Sequence, residues 1–443
     1  MTTRVIIVRH GQSTYNAQKR IQGRCDDSVL TEKGKVQAAR VAAALGGVDI
    51  AALYHSPLQR AAQTAEIIAT HLHLDCPRTP SPQLLEVDLP LWEGLSREAV
   101  LAQDPEGYRQ WHDRPGEFSM MVNGEAHYPV RSLYTQSQSF WQTLLQKHQG
   151  ETVLIVAHNG INRCLIMSAL GMDAARYQSI QQSNCCINIL NFSGGWGDPV
   201  QAESLNQLSH MGIVLPDPRP PHNQLRILLV RHGETDWNRE GRFQGIQDIP
   251  LNDNGRAQGG KAADYLKTVQ IDAAVSSPML RPKETAEIIL EHHPGVALAL
   301  EPQFCEIGHG LWEGKLETEI EAAYPGLLAQ WKTAPATVQM PEGENLQQVW
   351  DRVMTAWDAM VERYSSGEAK TLLVVAHDAV NKCILCALLG LAPQDIWAIK
   401  QGNGAVTVID YPQGASSEPI IQTLNLTTYL GSGILDTTAA GAL

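Results

Sequence analysis

Two short stretches of the chain, VRHGQSTYN and VRHGETDWN, place an arginine and a histidine directly after a run of aliphatic residues. A neutral imidazole is a nucleophile that can attack phosphorus. The neighbouring guanidinium matches phosphate oxygens with a bidentate fork and stays charged at any working pH. The pairs Arg9-His10 and Arg231-His232 therefore indicate chemistry on a phosphate group.

Each stretch is followed by a second arginine, a glutamate and a second histidine that suit the same reaction. A carboxylic acid can protonate a departing alkoxide and then, as a carboxylate, activate the water that cleaves a phosphoenzyme. Phosphoryl transfer depends on positioning and charge stabilisation, so two or three cationic groups per site are expected. The predicted catalytic sets are Arg9, His10, Arg60, Glu86 and His158, and Arg231, His232, Arg281, Glu306 and His377.

The two sets belong to an internal repeat that covers most of the chain. His10 and His232 are 222 residues apart, whereas His158 and His377 are 219 residues apart. An offset that drifts by only three residues over a whole copy indicates tandem duplication of one domain.

The length of 443 residues is natural for two domains. The proline-rich run Pro216-Asp217-Pro218-Arg219-Pro220-Pro221 cannot lie in a helix or a central strand and suits a stiff spacer. The predicted domains are therefore residues 1–217 and 218–443. The tail after Gly431 is small and weakly polar, and we expect it to be disordered or laid on a surface.

Short β-branched runs alternate with longer amphipathic runs in each copy. In the first copy, residues 5–8, 50–54 and 152–157 predict strands. Helices are predicted from Thr31, as the N-cap of one, and from Pro57, as the first residue of the next. Continuous apolar strands between helices predict a mostly parallel central sheet with helices on both faces, which is a three-layer α/β/α domain.

Ligands of such sheets bind beyond the carboxyl ends of the strands. Arg9-His10, Ser56-Pro57 and His158 all follow predicted strands. We therefore expect them to form one site.

Composition excludes several other classes of protein. The net charge of −13 argues against a nucleic-acid partner or an acidic membrane surface, and no apolar run is long enough to span a bilayer. No targeting segment is recognised, so a cytoplasmic location is expected. The eight cysteines are scattered and indicate reduced core thiols, and the CxxC spacing of Cys383 and Cys386 lies on an apolar run without a second pair. No metal site and no cofactor are expected.

These motifs resemble the histidine phosphatase superfamily, in its phosphoglycerate-mutase-like branch, over nearly all of both halves. The resemblance implies two tandem phosphoglycerate-mutase-like domains and a metal-independent phosphomonoesterase. His10 and His232 would be nucleophiles, and Glu86 and Glu306 proton donors. The phosphate would be held by Arg9, Arg60 and His158 in the first copy and by Arg231, Arg281 and His377 in the second. The residues implied to face the substrate are Asn16, Gln22 and Gly23 in the first copy and Asn238, Gln244 and Gly245 in the second.

The halves differ where specificity is expected. The segments HYPVR, AHNGIN and QSNC of the first half resemble a two-copy branch of the superfamily, which implies small phosphorylated sugars or sugar acids that inhibit Rubisco as substrates. The segment PEGENLQQV of the second half is similar to α-ribazole and broad-specificity phosphatases. We hypothesise that His127 and Arg131 bind a carboxylate or a second phosphate, the alternative being a solvated start of a helix.

Two other functions stay open at this point. A phosphoglycerate mutase uses the same phosphohistidine chemistry, and a non-catalytic phosphate-sensing module would keep the binding groups alone. The oligomeric state is unknown from the sequence.

Overall fold

The computed structural model describes residues 2–218, 224–368, 370–431 and 433–438. Its two compact units are Met1–Ile213 and Val214–Leu443. The division falls after residue 213, whereas the predicted boundary followed residue 217. Residues 219–221 of the predicted linker lie outside the described residues.

The first unit contains eight strands and seven helices among its described residues. The strands are β1 (Thr3–Arg9), β2 (Ala52–His55), β3 (Arg78–Pro80), β4 (Met120–Val122), β5 (Glu125–His127), β6 (Thr152–Ala157), β7 (Ile187–Phe192) and β8 (Val200–Gln207). The helices are α1 (Thr14–Ala17), α2 (Glu32–Ala44), α3 (Gln59–Leu72), α4 (Arg97–Gln103), α5 (Pro105–Asp113), α6 (Pro129–Lys147) and α7 (Asn159–Leu170).

The sheet of the first unit has the strand order β8-β7-β1-β6-β2-β3. Strands β1, β6, β2 and β3 are parallel, and β7 is antiparallel to β1 and to β8. Arg9 pairs with Ala157, and His55 pairs with Val156. Strands β1, β2 and β6 therefore end at one level, and the residues that follow them share one edge.

The second unit repeats this arrangement. Its strands are β9 (Leu225–Arg231), β10 (Ala273–Ser276), β11 (Leu298–Leu300), β12 (Lys370–Ala376), β13 (Val406–Ala415) and β14 (Ile420–Leu426). Its helices are α8 (Asp236–Glu240), α9 (Asp253–Leu266), α10 (Leu280–Leu290), α11 (Glu317–Ala323), α12 (Leu327–Thr333), α13 (Leu346–Tyr364) and α14 (Asp378–Leu388).

The sheet of the second unit has the order β11-β10-β12-β9-β13-β14, with β9 to β12 parallel and β13 antiparallel to β9. Every residue of β9 is buried, which requires cover on both faces of the sheet. On one face Leu228 and Val230 pack with Ala262 and Leu266 of α9, and α14 contacts β9 as well. The mostly parallel three-layer α/β/α fold predicted from the sequence is confirmed.

Of the two helix starts predicted from the sequence, one is confirmed and one is wrong. Thr31 caps α2 as predicted, with its side chain accepting a hydrogen bond from the Gly34 N–H. The prediction for Pro57 is wrong, because α3 begins at Gln59. The Gln59 N–H donates instead to the Asp26 carboxylate at 2.7 Å, so a distant loop supplies the cap.

The described part of the C-terminal tail packs against the second unit. Ile434 is buried, and Asp436 accepts a hydrogen bond from Asn425 Nδ2 at 3.0 Å. Among the described residues every helix is too short or too polar to cross a bilayer.

Candidate active site

The residues predicted to act in the first half meet at the carboxyl edge of its sheet. His10 follows β1 and His158 follows β6, and their ring centroids are 5.1 Å apart. Both histidines are buried. Arg9 ends β1, and the fully buried Arg60 lies in the first turn of α3.

The ring of His10 is held in one neutral tautomer. Its Nδ1 lies 2.7 Å from the carbonyl oxygen of Gly11, a contact that requires the proton on Nδ1 and leaves the lone pair on Nε2. Burial lowers the pKa of His10 well below its usual value, and the charges of Arg9 and Arg60 lower it further. The imidazole is therefore uncharged at neutral pH, with its one ring proton on Nδ1.

Three buried donors around His10 point to an anion site. Arg9 Nη1 donates to the Gln182 carbonyl at 2.7 Å, and Arg60 donates to the carbonyls of Cys25 and Gly23 at 3.0 and 2.8 Å. These bonds fix the guanidinium planes, yet Arg9 Nε, Arg60 Nε and His158 Nδ1 are buried without a partner among the described residues. Unpaired buried donors are costly, and the oxygens of a phosphate would satisfy them.

Ser56 orients the second histidine. Its Oγ lies 2.7 Å from His158 Nε2, so the Nδ1 side of the ring faces away from the serine. The sequence placed Ser56 at the same sheet edge as His10 and His158, but no chemical role was predicted for its hydroxyl. The hydroxyl could be recognised as functional only once the fold placed it beside His158.

Glu86 is buried and clamped by backbone donors. Its Oε1 accepts from the N–H groups of Val87 and Ile161 at 2.8 and 3.1 Å, and its Oε2 accepts from Gly160 N–H at 3.0 Å. Gly160 and Ile161 belong to the first turn of α7, whose free N–H groups favour an anionic partner. The carboxyl group is therefore fixed beside His158, the residue that precedes α7.

The first-half residues predicted to face the substrate build the wall of the site. Asn16 Oδ1 accepts from Asn184 Nδ2 at 3.0 Å, and Gln22 Oε1 accepts from Ser13 Oγ at 2.9 Å. The Gly23 carbonyl is an acceptor for Arg60. A Cβ at Gly23 would come within 2.4 Å of the Glu93 carboxylate, so this close approach requires glycine.

The second half brings its predicted residues together with the same geometry. The ring centroids of His232 and His377 are 5.2 Å apart, and His232 Nδ1 lies 2.7 Å from the Gly233 carbonyl. Ser277 Oγ lies 2.9 Å from His377 Nε2. Burial lowers the pKa of both histidines well below the usual value, with Arg281 as the next cause.

Arg281 and His232 show directly which nitrogen carries the lone pair. Arg281 Nε donates to His232 Nε2 at 3.3 Å, so Nε2 is the unprotonated nitrogen. Arg281 also donates to the carbonyls of Gly245 and Gln247, both at 2.9 Å. A small pocket at this point is lined by Arg231, His232, Asn238, Gln244, Gly245, Arg281, Glu306, His309 and Asp378.

Two residues of this second pocket were not predicted. His309 is buried and lines it, and burial lowers the pKa of this histidine to about 3. Asp378 lies 3.4 Å from Arg231 and 2.8 Å from Lys382, as a buried ion cluster. The first half has Leu89 and Asn159 at these positions, so comparison of the two copies of the repeat contains the signal that would have identified both.

Glu306 is held less firmly than Glu86. It accepts from Ile307 N–H at 3.0 Å and from Ala379 N–H at 3.4 Å. Burial raises the pKa of Glu306, and the charge of Asp378 raises it further. This glutamate is therefore biased toward the protonated form that a general acid needs.

A larger cavity of about 340 Å³ adjoins the second pocket, and Glu306 lines both. Ile246, Cys305, Glu342, Glu344 and Arg352 contribute to its wall. Glu306 therefore lies where the small pocket and the larger cavity meet.

The two residues hypothesised to select the substrate have other partners. His127 Nε2 lies 3.1 Å from the Asp88 carbonyl, two residues from Glu86. Arg131 Nε donates to the Gly116 carbonyl at 2.7 Å, and its guanidinium lies over the Tyr128 ring at 5.1 Å. The contacts of the described residues thus place His127 near the site and engage Arg131 in the local structure.

Arg24 is a cation beside the first site that the sequence analysis did not single out. Its Nε donates to the Glu86 carbonyl at 3.1 Å, and its Nη2 donates to Gln136 Oε1 at 3.1 Å. Its Nη1 lies 4.0 Å from the Asp88 carboxylate, and 38% of its side chain is exposed. The guanidinium is therefore fixed next to Glu86 with part of its surface open.

Comparison with known proteins agrees with this geometry. The family model described as histidine phosphatase superfamily (branch 1) matches residues 5–202 and 227–425. A 2-carboxy-D-arabinitol-1-phosphatase of Triticum aestivum is 31% identical over 97% of this chain and 86% of its own length. A probable 2-carboxy-D-arabinitol-1-phosphatase of Arabidopsis thaliana is 28% identical over 97% of this chain and 88% of its own length.

A further relative matches one copy of the repeat. Phosphoserine phosphatase 1 of Hydrogenobacter thermophilus is 32% identical over 47% of this chain and 95% of its own length. The chain belongs to the histidine phosphatase superfamily, as its motifs predicted. It is a phosphatase, that is, a phosphoric monoester hydrolase, with two tandem phosphoglycerate-mutase-like domains.

Proposed function

We propose that each half hydrolyses phosphate monoesters through a phosphohistidine, and that the first half acts on phosphorylated sugar acids. The observation that carries the proposal is the set of unpaired buried donors, Arg9 Nε, Arg60 Nε and His158 Nδ1, around the lone pair of His10. A phosphate placed among them would satisfy all three and present its phosphorus to Nε2.

In the first step His10 Nε2 attacks phosphorus and forms a P–N bond. The P–O bond to the alcohol breaks, and the electron pair leaves with that oxygen. Glu86, as the carboxylic acid, gives its proton to the departing oxygen. Arg9, Arg60 and His158 neutralise the charge that spreads over the remaining phosphoryl oxygens.

In the second step water cleaves the phosphohistidine. Glu86, now a carboxylate, takes a proton from the water as the water oxygen attacks phosphorus. The P–N bond breaks and returns the electron pair to His10 Nε2, while inorganic phosphate leaves. His232, Arg231, Arg281, His377 and Glu306 perform the corresponding steps in the second half.

The substrate class of the first half follows from Arg24 and from the full-length relatives. Arg24 Nε donates to the backbone carbonyl of Glu86, and part of its side chain is exposed, so we propose that the guanidinium pairs with a carboxylate on the alcohol part of a bound ester. Two relatives that match the whole repeat are named for 2-carboxy-D-arabinitol 1-phosphate, a sugar phosphate with such a carboxylate. We therefore propose this ester as substrate, with xylulose 1,5-bisphosphate as a second candidate.

The test is phosphate release from these two esters by the wild type and by the His232→Ala variant, in which only the first half can act. We expect release from 2-carboxyarabinitol 1-phosphate with both proteins. The matched control is His10→Ala, which should lose that release while it keeps its second half. Isomerisation of 3-phosphoglycerate without phosphate release would instead favour a mutase. Binding of the esters without turnover would favour a phosphate-sensing module.

A further inference from the structure

The charged side chains in the cavity of the second half are mostly acidic. Among the described residues its wall contains four glutamates, Glu306, Glu313, Glu342 and Glu344, and one arginine, Arg352. The phosphate itself is provided for by Arg231 and Arg281 in the adjoining pocket. The charges of the larger cavity therefore act on the alcohol part of the ester.

Arg352 is not available to a carboxylate of the substrate. Its Nε and Nη2 pair with both oxygens of Glu344 at 2.8 and 2.9 Å. Its Nη1 donates to the carbonyls of Gln303 and Cys305 at 2.5 and 2.8 Å. A bidentate pair with backbone bonds on the remaining nitrogens neutralises this cation within the wall.

The remaining charge of the wall is negative. Glu342 lines the cavity, and no hydrogen bond or ion pair within the described part of the chain neutralises it. Its backbone has φ of +57°, in the left-handed region that costs energy for a residue other than glycine. Ile246 lines the cavity at the position that Arg24 has in the first half.

We propose that the second half selects phosphate esters whose alcohol part is neutral or carries an amine, and that it discriminates against esters with a carboxylate or a second phosphate. This inference rests on the proposed function. An anionic alcohol part would lie beside Glu342 and Glu313, while Arg352, the cation of the described cavity wall, is already paired with Glu344. An ammonium group would be attracted by the same two carboxylates.

The experiment uses the full chain with His10→Ala, so that only the second half turns over. The probes are 3-phosphoglycerate, glycerol 3-phosphate and phosphoethanolamine, whose alcohol parts carry charges of −1, 0 and +1. The first two differ only by a carboxylate in place of a hydroxymethyl group. We expect kcat/KM for glycerol 3-phosphate to exceed that for 3-phosphoglycerate by about tenfold. Phosphoethanolamine should be hydrolysed at least as well as glycerol 3-phosphate.

Glu344→Gln in the same background tests the cause. In the wild type the Gly308 N–H donates to Glu344 Oε2 at 2.9 Å, and the oxygen of a glutamine amide can accept the same bond. The amide carries no charge, so it no longer neutralises Arg352. The preference against 3-phosphoglycerate should shrink or reverse. The matched control is Glu362→Gln, which removes the same charge from an exposed position ten residues beyond Arg352 on α13.

Each outcome is decisive. Equal or faster turnover of 3-phosphoglycerate overturns the inference, as does a preference that Glu344→Gln and Glu362→Gln change equally. A misfolded Glu344→Gln protein would show itself by the loss of glycerol 3-phosphate turnover, and Glu342→Gln, in an exposed loop, then takes its place. Absence of release from all three esters overturns the proposed activity of the second half, whereas release without the expected preference overturns this inference alone, so the two failures are distinguishable.

Discussion

The two halves place different charged residues around the same set of histidines and arginines. In the first half Arg24 lies beside Glu86, and His127 bonds to the Asp88 carbonyl. In the second half Ile246 replaces Arg24, and Glu344 bonds to the backbone of Gly308, which is equivalent to Asp88. The geometry that both halves share surrounds the proposed position of the phosphate. The charges that differ lie on the side proposed for the alcohol part of the substrate.

The comparison extends to the second histidine. It is followed by Asn159 in the first half and by Asp378 in the second, at the N-terminus of the equivalent helices. Glu86 has three backbone donors within 3.1 Å, whereas Glu306 has one at 3.0 Å and one at 3.4 Å. The duplicated chain thus keeps one arrangement of candidate catalytic residues and varies the charge around it.

The largest effect is expected from the nucleophiles. His10→Ala and His232→Ala should each lower turnover at their own site by on the order of 10³-fold or more, because the covalent intermediate cannot form. Rapid denaturation with a ³²P-labelled ester should trap one labelled histidine in each variant and two in the wild type. Label at a single position in the wild type would break the comparison, since one half would then be inactive.

Exchanging Arg24 and Ile246, which are equivalent in the two halves, should have the next largest effect on kcat/KM. Arg24→Ile is expected to lower kcat/KM for 2-carboxyarabinitol 1-phosphate about 10- to 100-fold, because a charged hydrogen bond is lost. Ile246→Arg should raise the turnover of 3-phosphoglycerate in a His10→Ala background. Steady-state kinetics on both variants measure the exchange, and an Arg24→Ile protein with unchanged kcat/KM would exclude Arg24 from substrate binding.

A smaller effect is expected on the pH dependence of the second half. Burial and Asp378 raise the pKa of Glu306, while Arg281 and Arg231 lower it. Asp378→Asn removes a raising charge, so Glu306 loses its proton at lower pH, and the alkaline limb of kcat should move to lower pH. The profile is measured with His10→Ala as background, and an alkaline limb that stays in place would mean that Asp378 acts only on Arg231 and Lys382.

The smallest effect is expected from Arg131→Ala. Its guanidinium is engaged by the Gly116 carbonyl and the Tyr128 ring, so kcat/KM for 2-carboxyarabinitol 1-phosphate should change by less than about threefold. Loss of activity comparable to that of Arg24→Ile would restore the role hypothesised for Arg131 from the sequence. The same assay serves both variants.

Much of the fold and of the candidate site could be predicted because the duplication makes each motif occur twice in the sequence. The strands after which Arg9-His10 and His158 follow are continuous apolar runs, and parallel strands bring their carboxyl ends to one edge. The start of α3 was missed because its cap, Asp26, is supplied by a loop more than thirty residues earlier. Local patterns of residue type contain no information about such a partner.

The sequence by itself determined the family, the repeat, the parallel sheet and the residue types of both phosphate sites, since these depend on periodicity and on short motifs. Only the tertiary structure decided which arginine nitrogens can serve the proposed phosphate site. Arg9 Nη1 and Arg60 Nη1 donate to backbone carbonyls, whereas the Nε atoms of both arginines are buried without a partner among the described residues. It also decided that Arg352 is neutralised by Glu344 while Arg24 keeps an open face. The charge that a substrate meets is a sum over neighbours in space, and the fold determines those neighbours.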